Sequence, residues 1–401
     1  MFYERIINGM PEIIKFFQEL KIDKQFNKPQ LRHLQSFLIA MLLQGYQGKV
    51  TNVSELAHNA CRTSVGRFLN NSKWEDSYLL EQLQARAVKK IWAKSAESGL
   101  PIYIIIDDTI CEKTVPSSKV KYPIAGCGFH QSHLLNKTVY GHQYVTVMLR
   151  CADMVLPYDT ILYRKGKDSK IQIAKRVIYS LPEPVAKGYV LTDSWYSCQE
   201  LFETALKSGY HYIATLKSNR KIYPKGHRRN GIQVGKFARA LKVSDFDVVT
   251  INGHSYHIYT YLGKINGLPK VKLVSSWPMK ALFNPRAMKI FLSTDIKMSS
   301  KQLLHHYSNR WPIEVFFREA NRRLGMKRCQ VHSLCGVRRF QLIVMLCYTF
   351  CGLEVQQETL VFSKQRINYQ KRIRAFHLSW IYTQAKNNIP FDHILKEFHL
   401  A

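Results

Sequence analysis

Several features are scarce or missing in this sequence. Its nine cysteines are scattered, with no Cys-x2-Cys pair and no His/Cys ligand spacing. We read them as reduced thiols of a cytoplasmic protein and expect no structural zinc. The longest apolar run, Phe340 to Leu353, is too short to span a bilayer, so no membrane is expected. The opening residues, Met1-Phe2-Tyr3-Glu4-Arg5, have no signal-peptide pattern. There is no internal repeat and no low-complexity linker. Acids are few: 28 Asp and Glu stand against 59 Lys and Arg, a formal net charge of +31 over 401 residues. An excess that large calls for a polyanionic partner. A membrane surface is one candidate, but with no spanning run nucleic acid is the stronger one.

Because acids are scarce, the placing of three of them is informative. The apolar run Ile102-Tyr103-Ile104-Ile105-Ile106 ends in Asp107-Asp108-Thr109, and Gly188-Tyr189-Val190-Leu191 ends in Thr192-Asp193-Ser194. Both runs read as buried strands that present an acid at the sheet's edge. Either alone could be a turn cap. The third acid lies in the stretch His305 to Asn321. At about 100° per residue, Tyr307, Arg310, Glu314 and Asn321 fall within roughly one sixth of a turn, flanked by Ile313, Phe317 and Leu324. Taken alone, this is an amphipathic helix with a solvated polar stripe. Pro312, however, requires a kink or a fresh start there. A lone acid among basic side chains is also neutralised unless something cationic needs it. Two strand carboxylates and one helix carboxylate make an oxygen-ligand site for Mg²⁺. Two such ions can hold attacking and leaving oxygens in line during phosphoryl transfer.

The ordered set of strand Asp, strand Asp and helix Glu resembles the DDE transposases of bacterial insertion elements. The likeness is to the insertion-sequence-4-like group, marked by Tyr-x2-Arg-x3-Glu-x6-Lys. Tyr307, Arg310 and Glu314 match that motif in place, whereas Asn321 stands at the Lys position and Lys327 is out of register. The group's first acid falls on Asp108, directly before Thr109, and its second on Asp193 in Asp-Ser-Trp-Tyr. Asp107 adjoins Asp108, and strand neighbours point to opposite faces, so only one of them can reach the metals. The Asp-Thr match favours Asp108. The resemblance implies an α/β fold with an RNase H-like mixed sheet flanked by helices. It implies Asp108, Asp193 and Glu314 as catalytic metal ligands for two Mg²⁺ ions, with Mn²⁺ able to substitute. It also implies cut-and-paste DNA transposition in the bacterial cytoplasm, at the nucleoid. Tyr307 and Arg310 would grip a phosphate near the cut.

Taken in order, residues 1–100 read as a helical DNA-binding region. Ile6 to Leu20 and Leu31 to Leu43 have helical apolar spacing. Ser54 and Thr63 are good N-caps for two short helices shaped like a helix-turn-helix, although any small helical bundle would look the same. The RNase H-like core follows over residues 101–217. It has strands at Ile102, Val139 to Arg150 and Val155 to Arg164, a helix from Ile171 to Leu181, the Asp193 strand, a helix from Gln199 to Lys207 and a strand from Tyr212 to Leu216. Lys113 to Lys137 reads as a loop bordering the site. Residues 218–298 form a β-rich insertion before the last catalytic helix. Its basic entry of Lys217, Arg220, Lys221, Arg228 and Arg229 is expected to be a DNA-phosphate track. Trp277 in the insertion is a candidate for stacking on an extruded base. The core closes with the Glu314 helix over 299–330, where Arg318, Asn321, Arg322 and Lys327 are further DNA-binding candidates. Residues 331–401 form a helical basic C-terminal region around a buried Phe340 to Leu353 helix.

The expected partners are therefore double-stranded DNA, at the element's terminal inverted repeats and at the target. A homodimer is expected because two ends must be joined together. An RNase H-like nuclease that cuts without joining is the rival within enzymes. A non-catalytic DNA-binding regulator is the rival outside them, but a regulator has no use for three carboxylates facing phosphates.

Overall fold

The computed structural model describes residues 11–43, 45–57, 61–132, 135–251, 253–353 and 361–397. Strand β1 (Ile102–Glu112) lies at the centre of the core because Ile102 to Ile106 are apolar on both faces, and all five are buried. One neighbour is β3 (Lys137–Cys151), antiparallel, with Ile102 opposite Cys151 and Asp108 opposite Val145. The other is β5 (Gly188–Thr192), parallel, followed by β6 (His211–Leu216), also parallel. Strand β4 (Met154–Tyr163) pairs with β3, as does β2 (Gly128–Ser132), a short strand inside the stretch expected to be loop. The sequence β4-β3-β1-β5-β6, with its last two strands parallel to β1, is a mixed sheet in the order that an RNase H-like core would require.

The β-rich residues do not form a separate layer. The short β7 (Lys221–Ile222) and β8 (Ile232–Gln233) precede β9 (Asp247–Ile251), β10 (His254–Ile265), β11 (Leu268–Pro278) and β12 (Lys289–Ser293). Strand β12 pairs antiparallel with β6, so all of them extend one twelve-stranded sheet.

Helices cover both faces. The alternation of β1 sorts its side chains between two cores. Tyr103 and Ile105 join one, with Leu303, Ile313 and Phe316; Ile102, Ile104 and Ile106 join the other, with Ala87, Ile91 and Ile173. The first side carries α10 (Ser300–Ser308) and α11 (Pro312–Arg322). The second side carries α6 (Asp76–Ser98), α7 (Lys170–Ser180) and α8 (Gln199–Lys207). At Pro312 the chain starts a fresh helix, with the proline at the first position, where its missing N–H costs nothing.

The terminal regions are helical. They comprise α1 (Pro11–Glu19), α2 (Ile22–Gln25), α3 (Lys28–Leu42), α4 (Val50–Ala57) and α5 (Arg62–Asn70) before the core, and α12 (Leu334–Leu353), α13 (Val361–Lys386) and α14 (Phe391–Glu397) after it; the five-residue α9 (Val234–Ala238) lies within the β-rich stretch. The two expected short helices exist as α4 and α5, but their caps differ. Ser54 lies inside α4, and α5 is preceded by Cys61, which makes no side-chain cap. Residues 58–60 between them are outside the described residues, as are 6–10 of the expected Ile6 to Leu20 helix and the last four residues of the chain.

Helix α12 begins before the apolar run and reaches 20 residues, so by length and composition it could cross a membrane, contrary to the expectation. Instead, 83% of its apolar window is buried within the protein. Two buried arginines tie the terminal helices together. Arg339 of α12 donates to the carbonyls of Leu69 and Trp74, and Arg366 of α13 donates to those of Met41 and Leu43. The Leu69, Met41 and Leu43 carbonyls lie at helix C-terminal ends, where the helix itself supplies no donor, and that of Trp74 lies in the turn before α6. Gly48 and Gly325, both at positive φ, let two loops touch backbone to backbone; a Cβ on Gly325 would lie 2.2 Å from the Gly48 Cα. None of the nine cysteines forms a disulfide.

Candidate active site

The two aspartates at the end of β1 part company. Asp107 follows Tyr103 and Ile105 onto the α10–α11 side, and Asp108 follows the isoleucines to the other side. There Asp108 Oδ1 accepts from Lys170 Nζ at 2.8 Å and from the Tyr196 hydroxyl at 3.0 Å, while Oδ2 accepts from Gln143 Nε2 at 2.5 Å. The residue facing Glu314 is thus Asp107, next to the expected Asp108. A central strand apolar on both faces gives no alternation from which the face of its last residue can be counted.

Arg310 lies between Asp107 and Glu314. Its Nη1 donates to Asp107 Oδ2 at 2.5 Å and its Nη2 to Glu314 Oε1 one helical turn on. Burial pushes the Asp107 carboxyl up to about 7; Arg310 opposes the rise, and the nearby charge of Asp193 adds to it. Burial works against the charge of Arg310, but Tyr307, Asp107 and Glu314 more than offset it and raise its pKa. Asp193 follows β5 in a tight turn in which its Oδ1 accepts from the backbone N–H of Trp195 at 2.9 Å and of Tyr196 at 3.3 Å. Tyr307 is largely buried, edge-on to Phe291, with its hydroxyl 3.5 Å from Thr215 Oγ1. The Arg310 guanidinium carbon lies 5.9 Å from the centre of its ring.

Asp193, Tyr307, Arg310 and Glu314 line one side of a cavity of about 790 Å³, and Asp107 is tied to it through Arg310. Tyr256, Lys289 and Phe291 of the added strands line the rest, with Trp311 at 60% exposure. Trp311, which sequence reading did not single out, is a further candidate because it is exposed at the cavity.

The other expected DNA-binding residues are dispersed. Lys217, Arg220, Lys221, Arg228 and Arg229 are exposed between β6 and β8. Of these, Arg220 donates to the Ser197 carbonyl and Lys221 to that of Asn230. Arg318 and Arg322 are exposed one and two turns beyond Glu314 on α11, and Arg318 also reaches the buried Glu319 at 3.5 Å. Lys327 sits 3.9 Å from Glu112. Asn321 turns inward, its Oδ1 accepting from the thiol of buried Cys111 at 3.2 Å. Trp277 is 2% exposed and packs edge-on against Phe246, so no base can reach its face in this arrangement. A large ring on a strand that another aromatic side chain covers is core before it is anything else.

Among the described residues no three His, Cys, Asp or Glu side chains stand close enough to hold an ion as placed. The donors nevertheless fit a hard divalent cation. Asp107, Asp193 and Glu314 offer only oxygen, and Arg310 between two of them marks where positive charge is already stabilised.

Among curated proteins none matches the sequence. One solved structure, a piggyBac transposase synaptic complex with hairpin DNA, is similar at a TM-score of 0.42 and 12% identity, over 91% of this chain and 82% of that one. A likeness that slight bears on neither fold nor activity. The family model described as "Transposase DDE domain" matches residues 123–350, more than half of the chain. Its span begins after β1 and takes in Asp193, the added strands and the Tyr307-Arg310-Glu314 block. Domains of this family generally use divalent metal ions. With a match running from the β-sheet through the Glu314 helix, the chain belongs to the transposase DDE domain family.

Proposed function

We propose that the protein is a DNA transposase of a bacterial insertion element, of the insertion-sequence-4-like type, that excises the element and joins it to a target. The observation that carries this reading is the joining of Asp107 and Glu314 by Arg310, which lines one groove together with Glu314 and Asp193. A divalent cation, Mg²⁺ with Mn²⁺ able to substitute, would be held by Asp107, Asp193 and Glu314 and would supply Lewis acidity at the scissile phosphate.

The chain's own residues do the rest. Arg310 offers a planar fork suited to a phosphate, placed by Tyr307 beneath it. The exposed Arg318 and Arg322 continue the basic face along α11, and the Lys217 to Arg229 segment adds sequence-independent phosphate contacts. The exposed face of α5, with Arg62 and Arg67, is the helix-turn-helix surface offered to a major groove. Trp311 replaces Trp277 as the aromatic side chain available to a base at the groove. Two element ends must meet at one target, which makes a homodimer on DNA the working unit. Its place of action, as the family resemblance implies, is the bacterial cytoplasm at the nucleoid.

The test is a cleavage and strand-transfer assay on duplexes carrying the flanking inverted repeats, in Mg²⁺. Joined product supports the reading. Cleavage without joining would leave a nuclease, and binding without nicking a regulator.

A further inference from the structure

Asp108 is absent from the groove, yet no carboxylate near the groove has more donors. Its three partners come from three elements: Gln143 from β3, Lys170 from the first turn of α7, and Tyr196 from the loop after β5. Each is held from behind. Gln143 is buried on β3. Lys170 starts a helix fixed by the Ser169–Gln172 capping box, and its ammonium lies 3.7 Å from the centre of the Trp195 ring. Tyr196 is fully buried; its carbonyl accepts from the Tyr212 hydroxyl at 3.2 Å, and that hydroxyl is 2.8 Å from Thr192 Oγ1.

The same loop carries Asp193. Tyr196 donates its hydroxyl to Asp108 and its backbone N–H to Asp193 Oδ1, so one residue joins the two acids. Trp195, under Lys170, donates the other N–H to the same oxygen. With Oδ1 taken by two backbone donors, the orientation of the Asp193 carboxylate follows the position of this loop. The position of the loop follows Asp108 and Lys170. Asp108 itself has Lys170 as counter-charge and donors on both oxygens, which leaves it little to offer a cation.

We propose that Asp108, with Tyr196 and Lys170, is a positioning brace that sets the Asp193 carboxylate for its divalent cation, acting from behind the sheet and not as a ligand. This inference rests on the reading of Asp107, Asp193 and Glu314 as the metal-holding acids. Residues that orient a ligand from outside usually alter metal affinity about 10- to 100-fold.

The experiment is calorimetric titration of Mn²⁺ into the full-length protein without DNA, with thermal melts to confirm folding. The variants are Asp107→Asn, Asp108→Asn, Tyr196→Phe and the Asp108→Asn/Tyr196→Phe double mutant. The brace predicts that Asp108→Asn and Tyr196→Phe each weaken Mn²⁺ binding about tenfold, and that the double mutant is no weaker than either single, because both break one link. Singles that bind as wild type, or losses that multiply in the double mutant, overturn the brace. So does an Asp108→Asn protein that loses binding altogether while Tyr196→Phe binds normally, since Asp108 would then be a ligand. Unchanged binding by Asp107→Asn would instead overturn the underlying reading of the acids.

Discussion

Arg310 holds Asp107 at 2.5 Å with one nitrogen and Glu314 with the other, so one guanidinium neutralises a strand acid and a helix acid together. The pair of contacts ties α11 to the end of β1. In Arg310→Met the two carboxylates face each other uncompensated. Because Glu314 is more than a third exposed, we expect a loss of about 2 kcal/mol at pH 8, less than a fully buried pair would cost. Added Mg²⁺ should recover part of it. Thermal melts with and without Mg²⁺ measure both effects; a melt unchanged by the substitution would mean the contacts do not hold the helix.

The raised Asp107 carboxyl gives a pH dependence with a definite sign. Between about pH 4 and its folded value of about 7, the native state holds a proton that the unfolded chain has released. Stability without metal therefore falls as pH rises through that window and levels off above it. Metal binding needs the ionised form, so Mn²⁺ affinity should rise from pH 6 to 8 with release of a proton. Asp107→Asn should flatten both curves. Asp159, pushed up to about 6 by burial, adds to the stability slope but lies outside the groove, so Asp159→Asn should change the melts and leave the Mn²⁺ curve intact.

The two tryptophans are expected to separate fold from function. Trp277→Ala removes a buried ring beneath Phe246 and should cost about 3 kcal/mol or more of stability. Trp311→Ala removes an exposed ring at the groove and should leave the melt within about 0.5 kcal/mol while weakening binding of an end-containing duplex by about 1–3 kcal/mol. The reverse pattern would return the stacking role to Trp277.

Asn321 stands at the motif's Lys position but accepts from Cys111 within the protein. Asn321→Lys should accordingly leave the slope of DNA affinity against salt unchanged and lower stability by about 1 kcal/mol. A slope steeper by one phosphate contact would mean that position 321 faces DNA.

Much of the fold was legible in the chain because its periods are clear. The alternation of Val139 to Arg150 and the helical spacing of Gln199 to Lys207 reappear nearly residue for residue as β3 and α8. Strand β2 was missed because Gly128 to Ser132 has no apolar pattern; it forms by pairing with the far end of β3. The joining of the β-rich strands to the central sheet depends on the β6–β12 pairing, a contact between segments far apart in sequence that local pattern does not encode. In the site, Glu314 and Arg310 could be read from helical spacing, whereas Lys170, Gln143 and Tyr196 could not, since each meets Asp108 only through tertiary structure. The choice between Asp107 and Asp108 turned on the face of a strand whose preceding residues are all apolar.

That choice is the most direct test of the account. Nicking of an inverted-repeat duplex in saturating Mg²⁺ should be abolished in Asp107→Asn, with DNA binding retained because it rests on Lys and Arg contacts. Asp108→Asn should still nick under the same conditions. An active Asp107→Asn beside a dead, folded Asp108→Asn would contradict the account and return the first acid to position 108.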